Sequence, residues 1–107
     1  MRYEVQRSIS PTHPALAGHF PGNPVVPGVV ILSELVRATE AWLRWTGDPI
    51  SVTSVKFVRL LRPSEPFTLH LERLSENKVS FAILREQDRI AAGTLQRTAP
   101  VTDQDRS

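Results

Sequence analysis

The sequence predicts an α+β domain in which one long helix packs on a face of an antiparallel sheet. Three observations point there. Proline and glycine crowd positions 11–28 (Pro11, Pro14, Gly18, Pro21, Gly22, Pro24, Pro27 and Gly28), which rules out regular structure throughout that stretch. Residues 28–45 then carry apolar side chains at helical spacing. From position 50 onward, apolar and polar residues alternate between turn signals, the pattern of a meander.

Residues 2–10 alternate loosely and predict an edge strand. The loop after it is long and stiff, and long internal loops of small domains tend to carry function. In the helix, Val29, Ile31, Leu32, Leu35, Val36, Ala38, Thr39, Trp42 and Leu43 fall on one broad face of a 100° wheel, opposite Arg37, Glu40 and Arg44. Pro27 suits the helix start, and Gly47 with Asp48 and Pro49 predicts its end. Four strands are then expected: 50–61, rich in β-branched residues; a segment from Phe67, with Phe67, Leu69 and Leu71 facing inward; Val79–Leu84; and Ile90–Leu95. The turns between them are 63–66, Glu76-Asn77 and Gln87-Asp88. Residues 1–98 read as one domain and 99–107 as a polar tail.

Composition narrows the function. Of the 107 residues, 40% are apolar and 22% charged, a globular balance. There is no cysteine, which excludes disulfides, thiolate metal ligands and a thiol nucleophile. The net charge is +2 with signs interspersed, unlike the basic stripe of a nucleic-acid binder. No apolar run approaches the ~18 residues that span a bilayer, and the first residues lack the apolar core of a secretory signal. A cytoplasmic protein with no membrane or nucleic-acid partner is expected. Three histidines without close pairing give no metal spacing, and no glycine-rich phosphate loop follows a strand.

Chemistry concentrates in Gly18-His19-Phe20-Pro21-Gly22-Asn23-Pro24-Val25-Val26-Pro27-Gly28-Val29. A histidine on a rigid loop precedes a Pro-Gly helix start. Histidine moves protons near neutral pH. The unpaired amides of a helix N-terminus can hold a developing oxyanion. Together they fit proton abstraction beside an activated carbonyl.

The run HFPGNPVVPGVVIL resembles the signature of the β-hydroxyacyl-acyl-carrier-protein dehydratases, which have the hotdog fold. The similarity is dense over 13–32, with a weaker echo in Val55–Arg59 and Leu61-Arg62-Pro63. The resemblance implies a long central helix wrapped by an antiparallel sheet. It also implies a homodimer with sheets joined edge to edge and sites at the interface. The substrate would be a 3-hydroxyacyl thioester on the phosphopantetheine of acyl carrier protein, or on coenzyme A. No metal or further cofactor is implied. His19 matches the catalytic base, Gly28 the glycine whose amide polarises the thioester, and Phe20, Pro21 and Gly22 the residues that shape the loop.

One departure stands out. The family places a carboxylate on the helix where this chain has Ser33; Glu34 is next, and Arg37 replaces a residue that is often glutamine. One residue along a helix turns by about 100°, so Ser33 and Glu34 are expected on opposite flanks of the apolar face. The acid role falls to Glu34, or to a water held by Ser33, a serine being a poor proton donor. Glu34 is also expected to pair with Arg37, and Glu40 with Arg44. Two alternatives follow. One is a hotdog thioesterase, if Glu34 or Glu40 faces the site. The other is a non-catalytic acyl-binding chain, or one half of a heterodimer whose partner supplies the carboxylate. His13 and His70 are expected on the surface, Trp42 in the core and Trp45 at an interface. Arg37, Arg44, Lys56, Arg59 and Arg62 would form a basic rim suited to an acidic carrier protein.

Overall fold

The computed structural model describes residues 1–16, 25–45 and 47–98. Its elements are β1 (Arg2–Arg7), a short 3-10 turn (Pro14–Leu16), α1 (Gly28–Leu43), β2 (Ile50–Phe57), β3 (Phe67–Ser75), β4 (Lys78–Arg85) and β5 (Asp88–Arg97). The five strands form one antiparallel sheet in the order β1-β3-β4-β5-β2. The expected α+β architecture is present, with β1 at one edge and β2 at the other.

Strict alternation makes the core. Phe67, Leu69 and Leu71 of β3 and Val79, Phe81 and Ile83 of β4 are buried on one face, where they meet Ile31, Leu35 and Ala38 of α1. Thr68, His70 and Glu72 take the other face, and His70 Nδ1 sits 2.9 Å from Glu4 Oε1 on the neighbouring strand. The edge strand β1 is tied to the helix by side chains. Tyr3 stacks on Trp42 with ring centroids 5.4 Å apart, and Arg7 reaches Glu34 at 3.8 Å.

Five expectations shift. The buried stripe of α1 is Val30, Ile31, Leu35, Ala38 and Thr39; Val29 is 71% exposed. Val30 faces inward in its place, packed in the core with Val26 and Leu61, and the Val26 N–H donates to the Leu61 carbonyl at 2.7 Å. The helix ends at Leu43, closed by Arg44 in the left-handed region (φ 56), before Gly47. That bend removes Arg44 from the spacing needed to pair with Glu40, and no ion pair joins them among the described residues. The last hairpin turns on Glu86-Gln87, Glu86 having φ 57, because Arg85 pairs directly with Asp88. Trp45 is 2% exposed within this chain, between the guanidinium groups of Arg97 (4.8 Å) and Arg73 (5.8 Å), and not at an outer surface. Once the chain leaves the helix at Arg44, the indole folds back onto the ends of β3 and β5.

The segment after β2 crosses toward β3 and frames the helix start. Val58 N–H donates to Ile90 O (2.8 Å), Ser64 N–H to Ile9 O (2.8 Å) and Arg85 Nη1 to Leu60 O (3.0 Å). The Glu65 carboxylate accepts from Arg62 N–H (2.7 Å) and from Arg85 Nη1 (3.2 Å). These bonds hold Leu61 buried beneath the loop that enters α1.

Candidate active site

The helix start is the first part of the candidate site. Pro27 precedes Gly28 with φ −60 and ψ 142 and makes no side-chain cap. The Pro27 carbonyl accepts from Val30 N–H at 3.0 Å. The Gly28 and Val29 N–H groups have no acceptor among the described residues. They point out of the positive end of a 16-residue helix, where a negative oxygen is favoured. The ring of Phe57, at the end of β2, lies flat enough on Gly28 that a Cβ there would stand 3.0 Å from both Cε2 and Cζ. A side chain at this place would press on the ring and require it to shift by a few tenths of an ångström.

The second part is a cleft of about 240 Å³ along the N-terminal half of α1. Among the described residues it is lined by His13, Val29, Val30, Ser33, Glu34 and Arg37. Ser33 and Glu34 therefore share a cleft and do not lie on opposite flanks of the apolar face. The rotated apolar stripe is the reason: with Val30 buried and Val29 outward, positions 33 and 34 fall on the same margin. Ser33 is exposed; the Glu34 side chain is 20% exposed and engaged twice, by Arg37 Nη1 at 3.4 Å and Arg7 Nε at 3.8 Å. The expected Glu34–Arg37 pair is present, and Arg7 is a partner that only the fold reveals, since β1 and α1 are far apart in sequence.

His13 differs from its expected role as a surface loop residue. It is half-buried and forms a wall of this cleft. Its Nδ1 accepts the Ala15 N–H at 3.0 Å, its own N–H donates to Ser10 O at 3.0 Å, and its carbonyl accepts Leu16 N–H at 2.9 Å. The dipeptide His13-Pro14 was the available signal: Pro14 opens the 3-10 turn that folds the ring back against the chain. His19, Phe20, Pro21 and Gly22 lie outside the described residues, as do 99–107 of the polar tail.

A larger concavity of about 520 Å³ occupies the sheet around His70, Glu4 and Glu72, away from the helix start. Its polar residues belong to the alternating outer face of the sheet, and the Glu4–His70 pair explains the histidine there. Arg37, Arg44, Lys56, Arg59 and Arg62 are all exposed, as the expected basic rim requires. No group of three or more metal-ligating side chains occurs among the described residues, and none of their helices is long and apolar enough to cross a membrane.

Comparison with known proteins gives a consistent picture. The ApeI-like family model, described as ApeI dehydratase, matches residues 1–94. The 3-hydroxyacyl-[acyl-carrier-protein] dehydratase FabZ of Oenococcus oeni is 36% identical over a match covering 71% of this chain and 61% of that protein. FabZ of Thermus thermophilus is 31% identical, with 88% of this chain and 75% of the relative covered. The chain spans about half the length of several curated relatives it matches, such as 46% of the Pediococcus pentosaceus FabZ. Among solved structures, the dehydratase heterocomplex ApeI:P from Xenorhabdus doucetiae superposes with a TM-score of 0.79 at 23% identity, covering 92% of this chain and 88% of that one. The (R)-hydratase from A. caviae involved in PHA biosynthesis gives 0.74 at 14% identity, covering 94% and 95%. These likenesses show the hotdog fold. Together with the match over residues 1–94, they mean that the chain belongs to the ApeI-like dehydratase family.

Proposed function

We propose that this chain, as a single domain over residues 1–98, removes water from a 3-hydroxyacyl thioester to give the trans-2-enoyl thioester. The reading rests on one observation above others: a helix start whose Gly28 and Val29 amides have no partner among the described residues, beside a cleft that holds Ser33 and Glu34. His19 takes the C2 proton as base, supported by its place in the HFPG motif. The Gly28 amide receives the charge that develops on the thioester oxygen. The C3–O bond breaks, and the leaving hydroxyl takes a proton from Glu34 or from a water held by Ser33. Phe20, Pro21 and Gly22 shape the loop, and Arg37 lines the exit. The thioester itself acidifies the C2 proton, and no metal or organic cofactor is used; phosphopantetheine arrives with the acyl carrier protein or coenzyme A. The exposed Lys56, Arg59 and Arg62 suit an acidic carrier. The assembly is a homodimer paired through the exposed edge of β2, and the protein works in the cytoplasm. In a test with 3-hydroxyacyl-acyl-carrier-protein followed by mass spectrometry, the expected result is enoyl product, lost in His19→Ala. Absence of product from the wild type at every chain length would defeat the reading.

A second reading has a specific observation behind it. Glu34 is engaged by both Arg7 and Arg37, and position 33 offers only a hydroxyl. On this reading the chain is one half of a heterodimer whose partner brings the carboxylate; the ApeI:P neighbour is precedent for a dehydratase heterocomplex. A homodimer that turns over alone would exclude it. Thioester hydrolysis has less support: Glu40 lies outside the cleft, and Glu34, which lines it, is already engaged by Arg7 and Arg37.

A further inference from the structure

Two backbone bonds place His13 in its turn, and a third bond, to the ring, sets which nitrogen carries the proton. Because Nδ1 accepts the Ala15 N–H at 3.0 Å, it carries no proton, and the hydrogen-bond pattern assigns the proton to Nε2. Nε2 has no partner among the described residues, and the ring lines the cleft that also contains the exposed Ser33 hydroxyl. The rest of the cleft is not a strong anion site. Arg37 is turned to Glu34, and Glu34 already takes Arg7 and Arg37. Val29 and Val30 supply an apolar wall, and Val29 is largely exposed. An N–H donor and an O–H group beside an aliphatic wall fit an uncharged hydroxyl carried on an alkyl chain.

We propose that His13 is a specificity-determining residue that donates from Nε2 to the 3-hydroxyl of the acyl chain, with Ser33 as its companion in the cleft. The proposal rests on the dehydratase reading for the identity of the chain, and it adds a contact made by a histidine outside the HFPG motif. The backbone bonds to Ser10 and Leu16 hold the turn and the Ala15 N–H holds the ring before substrate arrives, so little ordering is needed on binding.

Two substitutions separate the roles of the two nitrogens. His13→Asn keeps an acceptor near Nδ1 for the Ala15 N–H and removes the cleft donor. His13→Gln places an amide N–H near Nε2 and weakens the turn. The probes are the unreactive amide analogues of 3-hydroxyoctanoyl-pantetheine and octanoyl-pantetheine, titrated calorimetrically. The wild type is expected to prefer the hydroxylated probe by roughly five-fold, one net hydrogen bond. His13→Asn should lose that preference while binding the octanoyl probe as before, and His13→Gln should recover part of it. A second readout needs no variant to fold: nitrogen-15 spectra of the wild-type histidines should show one Nε2–H ring that shifts with the hydroxylated probe and not with the plain one. Equal affinity of the wild type for both probes, or a preference that survives His13→Asn, would overturn the proposal. Preference without any enoyl product from 3-hydroxyacyl carrier protein would retain His13 and remove the dehydratase reading. Full turnover in His13→Asn with no preference in the wild type would do the reverse.

Discussion

Gly28 and Gly93 lack a side chain for different reasons, and substitution should separate them. At Gly28 a new Cβ meets the end of the Phe57 ring at 3.0 Å, and a ring on an exposed edge strand can give way. Gly28→Ala is therefore expected to change stability by no more than about 1 kcal/mol, alanine being the better helix former. Turnover should still fall, roughly 10–100-fold, if the shifted ring disturbs the thioester seat. At Gly93 a Cβ would stand 2.0 Å from the Ser54 carbonyl oxygen and 2.9 Å from Phe81 Cζ, and backbone cannot yield in that way. Gly93→Ala should cost at least about 3 kcal/mol in urea unfolding, through a forced shift of β2 against β5. The sequence signalled Gly28 by its place in the motif, but Gly93 reads as an ordinary strand glycine. Only the bulge between Val52 and Ser54 reveals the crossing.

The helix and edge strand β1 depend on each other. β1 pairs with one neighbour only, and its other support is the Tyr3–Trp42 stack and the Arg7–Glu34 pair. Trp42→Ala is expected to cost about 3 kcal/mol and to speed amide exchange in β1 before the rest of the sheet. Arg7→Gln should cost under about 1 kcal/mol, since that pair is partly solvated. At the other end of α1, Arg44 holds a left-handed conformation that glycine adopts freely. Arg44→Gly should raise stability by about 0.5–1 kcal/mol in thermal unfolding, relief of backbone strain exceeding the added entropy of the unfolded chain.

At the scale of the whole molecule, the sheet closes around the helix but leaves β2 open. Val55 and Phe57 on the strand, then Val58 and Leu60 beyond it, are exposed, and among the described residues no strand pairs with the outer side of β2. Such an edge pairs with another chain unless it is defended by charge, and here Lys56 is the one charged side chain within the strand. The proposed homodimer should sediment at twice the chain mass. Val55→Lys should shift it toward monomer at micromolar concentration while the circular dichroism of the fold is kept. A wild type that sediments as a monomer would leave the heterodimer reading in place. The Phe57 ring that touches Gly28 comes from this same strand, so loss of the pairing should also lower turnover.

The sequence by itself determined the elements, their order and the family, because period-2 and period-3.6 patterns, turn residues and the HFPGNPVVPG run are local properties of the chain. It placed β3 and β4 closely, where burial alternates without exception from Phe67 to Leu71 and from Val79 to Ile83. Tertiary structure decided what depends on distant partners. The rotation of the helix stripe from Val29 to Val30 came from packing against the sheet and the Val26–Leu61 segment, and with it the sharing of one cleft by Ser33 and Glu34. Arg7 reached Glu34, and Trp45 was buried between Arg73 and Arg97, by contacts across the sheet that no periodicity encodes. His13 gained its place for the same reason: a 3-10 turn bent it toward a helix that begins well beyond it in sequence. A wheel drawn on one helix orders its residues relative to each other, but only the packed sheet and loops fix which side faces the core.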